Sequence, residues 1–209
     1  QGSAITMSGG TLRFAGAVSQ TTNRPIATSG SATLSASGTS GAVITYAGAI
    51  TQALDNNLTL VGATGAEGAV TGGITQSGVA ADFNVTSGIW TVSGAASVLA
   101  DDIVVTGATA VLNLNGASLI SFTAGTSNGL YARTGAVINL LSSDVFGPLN
   151  AGSLDFILLG DTSVGGGLLN LNAFNLETPR FDLGQRGNGF EGQLDGTGTV
   201  LVLSLIHIS

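Results

Sequence analysis

The chain has 209 residues, among them 33 glycines, no cysteine and no lysine, and a formal net charge of −7 at pH 7. Charged residues supply 8%, against about 25% in ordinary domains, so solubility rests on hydroxyl and amide groups. The few, scattered arginines (Arg13, Arg24, Arg133, Arg180, Arg186) leave no phosphate-binding face, which excludes nucleic acid as a partner. The absence of cysteine excludes disulfides and thiolate metal sites, and no apolar run approaches the roughly 18 residues of a membrane-spanning helix.

Abundant glycine with almost no glutamate or lysine leaves little from which to build helices. Valine, isoleucine and threonine are plentiful and favour strands. A hydrophobic content of 44% with mean hydropathy +0.47 is too apolar for a disordered chain, so the first expectation is an all-β fold with a core.

In chain order, short β-prone runs fall at Ala4-Met7, Thr11-Phe14, Ala32-Ser35, Ala42-Tyr46, Leu58-Val61 and Ala69-Thr75. They continue at Asp82-Thr86, Ile89-Val92, Ile103-Thr106, Ala110-Leu114, Ser118-Phe122, Ala136-Leu140, Leu154-Leu159, Leu168-Asn172 and Thr199-Val202. Gly88, Gly94, Gly107, Gly116, Gly125 and Gly135 punctuate them as turns. Val111-Leu112-Asn113-Leu114-Asn115 and Leu168-Leu169-Asn170-Leu171-Asn172 alternate strictly, with leucine on a buried face and asparagine on a wet one. The repeated Leu-Asn-Leu-Asn hints at internal repetition, as do Ser93-Gly94-Ala95, Thr106-Gly107-Ala108 and Thr134-Gly135-Ala136, although no fixed period survives counting.

These features together predict a right-handed parallel β-helix, or β-solenoid, of roughly ten coils of about twenty residues, forming a rod on the order of 50 Å long. A β-sandwich, or a mixed solenoid with a C-terminal cap, is the alternative. The expected organisation is solenoid repeats over 1–140 and last coils or a cap over 141–202. There Asp144, Phe146, Pro148, Phe156, Phe174, Pro179, Arg180, Phe181, Asp182, Arg186, Phe190 and Glu191 concentrate bulk and charge. The start at Gln1-Gly2-Ser3, without methionine or leader, reads as the interior of a longer protein. Leu203-Ser204-Leu205-Ile206-His207-Ile208-Ser209 reads as a translated transposase-adapter sequence, a non-native scar over 203–209. That scar would contain the single histidine, His207, leaving a Ser-His-Asp triad or a His-ligated metal without a natural histidine.

Ala42-Val43-Ile44-Thr45-Tyr46-Ala47-Gly48-Ala49-Ile50, followed by Asn57-Leu58-Thr59-Leu60-Val61-Gly62, resembles the autotransporter-associated β-strand repeat. Ser87-Gly88-Ile89-Trp90-Thr91-Val92-Ser93-Gly94-Ala95 resembles a second step of that repeat. The Asn-Thr-Tyr-Thr-Gly step typical of the family is absent. The resemblance covers about 40–120 and implies a β-helix exported to the bacterial surface or secreted, as the passenger of an autotransporter-like protein.

Candidate chemistry is sparse. Asp101-Asp102 is the adjacent carboxylate pair, but neighbouring strand residues point to opposite faces, so a turn ahead of Ile103 is the expected role. Asp55-Asn56-Asn57 and Asp195-Gly196-Thr197-Gly198 offer oxygens for calcium, yet lack the nonapeptide pattern of calcium rolls and read as turns. Gly165-Gly166-Gly167 lacks the Lys-Ser/Thr of a phosphate loop. Trp90, Tyr46 and Tyr131 could stack on sugars but read as packing residues. The expected function is therefore a non-enzymatic structural or adhesive segment, without catalytic, cofactor or metal residues, outside the cell or on its surface and facing a carbohydrate, host or matrix partner. Two alternatives stand: a polysaccharide lyase or hydrolase using Asp82, Asp101, Asp102 and Asp144, and a viral tail-fibre segment.

Overall fold

The computed structural model describes residues 2–123, 128–146, 154–160, 165–183 and 192–208, the stretch 203–208 by backbone alone. Gly125, Pro148, Arg186, Phe190 and Glu191, and the side chain of His207, lie outside the described residues. No helix is present among the described residues, and none is long and apolar enough to cross a membrane.

Three strands recur in fixed order. Ile26–Thr28, Ala32–Ala36 and Val43–Tyr46 make one coil, Ile50–Gln52, Leu58–Gly62 and Glu67–Val70 the next. Ile74–Gln76, Phe83–Val85 and Gly88–Ser93 follow, then Ser97–Leu99, Ile103–Thr106 and Ala110–Asn115. Corresponding strands of successive coils pair in parallel, giving, among the described residues, a first sheet of six strands, a second of nine and a third of eight. Parallel pairing in every ladder sets the β-sandwich alternative aside and shows a β-solenoid.

The solenoid makes about seven turns rather than roughly ten. Each turn takes more residues than expected: Ile26, Ile50 and Ile74 are successive partners, 24 residues apart. The rod is correspondingly shorter, roughly 35 Å at the usual interstrand spacing. Coil length also varies, which is why no fixed period survives counting. Phe83 and Ile103 pair across 20 residues, whereas Ile103 and Leu130 pair across 27, the difference being absorbed in the corners while the strands stay in register.

Within a coil, alternate residues point inward. Gly88–Ser93 and Ala110–Asn115 show the pattern most clearly, with Trp90, Val92, Leu112 and Leu114 fully buried. Inward residues stack on their counterparts in files. The first sheet carries Ile5, Ile26, Ile50 and Ile74 in one such file. In the third sheet Leu112 pairs with Ile138 and Ile138 with Leu169, so the two Leu-Asn-Leu-Asn segments lie two coils apart in the same file. Glycine makes one of these files possible: a Cβ on Gly68 would collide with the Trp90 indole, which lies across that rung with its ring stacked 6.3 Å from Tyr46.

Past Leu140 the second and third sheets continue through Phe156–Leu159 and Leu176–Leu183, and through Leu168–Asn170 and Gln193–Asp195. Among the described residues the first sheet has its last strand at Ile120–Phe122, extended by a parallel bridge from Ile120 to Phe146. Pro179 lies inside Leu176–Leu183, where the register to Val200–Ile208 shifts between Thr178 and Arg180, as a residue without an N–H donor requires.

Candidate functional site

The corner leading into the second sheet carries the densest chemistry. Phe83, Ile103 and Leu130 are successive partners in that sheet, so the residues just before them, Asp82, Asp102 and Gly129, come to one corner on adjacent coils. Asp101 lies beside Asp102 in the bend between Leu99 and Ile103, not within a strand. The pair thus takes the expected turn ahead of Ile103, and because the opposite-face rule holds only within a strand it does not separate them: one carboxylate oxygen from each of Asp82, Asp101 and Asp102 lies within 4.8 Å of the others. Asp144 is not part of this cluster; it precedes Phe146 at the edge of the first sheet.

The three acids are only partly exposed. Burial pushes the Asp102 carboxyl up to about 6, with Asp101 and Asp82 adding to the rise. The Gly129 N–H, donating to Asp102 Oδ1 at 2.7 Å, and the Tyr131 hydroxyl oppose it. Burial also raises Asp101, reinforced by Asp82, and raises Asp82 against the pull of Arg133. Tyr131 is lifted to about 12, chiefly by burial and then by Asp102. On the outer face of the next coil the Arg133 guanidinium lies 4.2 Å over the Tyr131 ring, whose edge meets Phe156 at 5.3 Å. Such a group of hard oxygen donors is suited to sharing a proton or holding a small hard cation.

The other candidates resolve into structural roles. Asp55 Oδ1 accepts the N–H groups of Val79 and Ala80 on the following coil, which holds its carboxyl below the usual range. Asn57 Oδ1 accepts the Asp82 N–H at 3.0 Å, and Asn56 donates to the carbonyl of Ala53. Asp195 Oδ1 accepts the N–H of Gly196, and Thr197 donates to the Asn172 carbonyl. The Gly165, Gly166 and Gly167 carbonyls accept N–H groups of Thr134, Gly135 and Gln193, so this stretch is stitched into the stack. Trp90 and Tyr46 are buried in the core, and of the three aromatics only Tyr131 stands on an outer face.

The sequence marks the acids as candidates but does not show Tyr131 and Arg133 as their neighbours. The signal was one coil of spacing, legible only once the register Val104 to Tyr131 and Thr106 to Arg133 is known.

The outer faces carry a second feature, files rich in small polar side chains, that of the first sheet interrupted by Ala27 and Val98. Thr6, Ala27, Thr51, Thr75, Val98 and Ser121 form one on the first sheet. Thr11, Thr33, Thr59 and Asn84 form one on the second. On the third, Thr91, Asn113, Asn139 and Asn170 align. Asn139 donates to Asn113 Oδ1 at 2.8 Å and Asn113 to Thr91 Oγ1 at 3.2 Å. Comparison with protein-family models, with curated proteins and with solved structures finds no match to this chain.

Proposed function

We propose that this segment is a non-enzymatic, structural or adhesive part of a bacterial surface or secreted protein of the autotransporter-like type. The supporting observation is the set of in-register runs of threonine or asparagine on the three outer faces, Thr51 with Thr75, Thr59 with Asn84, and Asn113 with Asn139 among them. Hydroxyl and amide groups repeated at the coil spacing of about 4.8 Å form a regular lattice of donors and acceptors suited to an extended carbohydrate or matrix surface. The resemblance of 42–62 and 87–95 to autotransporter-associated β-strand repeats supports the same reading and an extracellular or cell-surface location.

One observation favours a second reading, a polysaccharide-cleaving β-helix. Asp82, Asp101 and Asp102 converge, and Asp102, raised to about 6, is suited to donate a proton near neutral pH. Close carboxylates with displaced proton affinities are the arrangement on which glycosidic-bond cleavage depends.

One experiment separates the two. The chain is incubated with a panel of acidic and neutral polysaccharides, and retention on the insoluble polymer and release of new chain ends are both followed. The structural reading predicts retention without new ends. Release of ends that Asp102→Asn abolishes would establish the second reading in its place.

A further inference from the structure

The interior of the first sheet holds a polar file within an apolar core. The third residue of its strands runs Met7, Thr28, Gln52 and Gln76 by direct pairing, and the pairing of Thr75 with Val98 brings Leu99 next. Thr28, Gln52 and Gln76 are 4%, 0% and 2% exposed, so each polar atom needs a partner from within. Gln76 Nε2 donates to Gln52 Oε1 and to the Asp82 carbonyl, both at 3.2 Å. On the other side of Gln52, Gln52 Nε2 and Thr28 Oγ1 are buried, on directly paired residues, and have no hydrogen-bond partner among the described residues.

Adjacent coils lie about 4.8 Å apart, and an amide can cross that gap to a threonine, as Asn113 does to Thr91, but Gln52 Nε2 does not come within hydrogen-bond distance of Thr28 Oγ1. Two hydrogen bonds of about 2.8 Å meeting at a tetrahedral centre span about 4.6 Å. The geometry points to a buried water site between Thr28 and Gln52, the water accepting from Gln52 Nε2 and donating to Thr28 Oγ1. Buried waters occupy polar sites of this kind, where side-chain groups otherwise lack partners. Gln76 Oε1, a further buried acceptor without a protein partner, lies in the same file. With the water in place, a hydrogen-bonded line runs from Thr28 through Gln52 and Gln76 to the Asp82 carbonyl. It keys the stacking of those coils, because a slip by one coil would set glutamine against an aliphatic neighbour.

A high-resolution crystal structure of the chain tests the site directly. The expected result is a solvent peak within about 3.2 Å of both Thr28 Oγ1 and Gln52 Nε2. A dry interior, with the Gln52 amide bonded straight to Thr28 or a side chain filling the gap, overturns it. In denaturant titrations Thr28→Val strands the Gln52 amide and is expected to shift the unfolding equilibrium about tenfold toward the unfolded state. Thr28→Val combined with Gln52→Leu recovers part of that loss. A Thr28→Val protein as stable as the parent overturns the proposal.

Discussion

Single residues decide how tightly the coils stack. Trp90 is fully buried because Gly68, its partner on the preceding coil, has no side chain where the indole lies. Gly68→Ala forces the ring off its place against Tyr46. An overpacked core of this kind loses about 1–3 kcal/mol. A lower urea midpoint, with a red shift of the emission of this single tryptophan, is the expected outcome. Asp102 sets a pH dependence of defined sign. Its pKa rises from 3.8 to about 6 on folding, so between those values the folded state binds more protons than the unfolded one. The corresponding penalty is absent below about pH 4, grows as pH rises, and is complete above about 6. Asp102→Asn keeps an oxygen for the Gly129 N–H and removes the titration. Stability measured across pH 4–7 is therefore expected to fall less steeply with rising pH in the variant than in the parent. Asp55 works in the opposite sense, its lowered pKa costing stability as acid protonates it.

At the scale of strands, the sequence was most legible where side chains alternate over five or six residues. Ala110–Asn115 and Gly88–Ser93 announce themselves by their leucines, valines and outward polar residues. The first sheet was harder to read. Its strands are three residues long, and Ile26–Thr28, Ile50–Gln52 and Ser97–Leu99 present too little pattern to stand out from the turns around them. Ala69-Thr75 reads as one run but holds the end of Glu67–Val70 and the start of Ile74–Gln76, with Gly72 and Gly73 at the corner between. Glutamine inside the core at 52 and 76 contradicts the rule that polar residues face water, and only the file of neighbours explains it. The outward ladder of the third sheet yields a graded prediction. Asn113 accepts from Asn139 and donates to Thr91, whereas Thr91 makes one of those bonds. Asn113→Ala should therefore cost about 1–2 kcal/mol and Thr91→Val about half as much, as measured by urea denaturation of the two variants side by side.

At the scale of the whole molecule, composition alone indicated the class: much glycine, few charges and ample β-branched residues leave a stacked all-β architecture as the natural outcome. The number of turns was not legible, because the corners range in length and hide the repeat that the register restores. The acid cluster was hidden for the same reason, since Asp82 and Asp102 become neighbours only through the register of the second sheet. That register aligns the polar files, assembles the acids and encloses the buried glutamines. All of these features depend on coils stacked in a line. The chain contains no native cysteine, so spin labels can be placed singly through introduced ones. Thr6, Thr75 and Ser121 occupy one outward file, three and then two coils apart. Pulsed electron paramagnetic resonance should give backbone separations of about 14 Å for Thr6→Cys with Thr75→Cys and about 24 Å for Thr6→Cys with Ser121→Cys, after allowance for the label arms. A Thr6 to Ser121 distance equal to or shorter than the Thr6 to Thr75 distance would mean that the chain folds back on itself, and would contradict the solenoid.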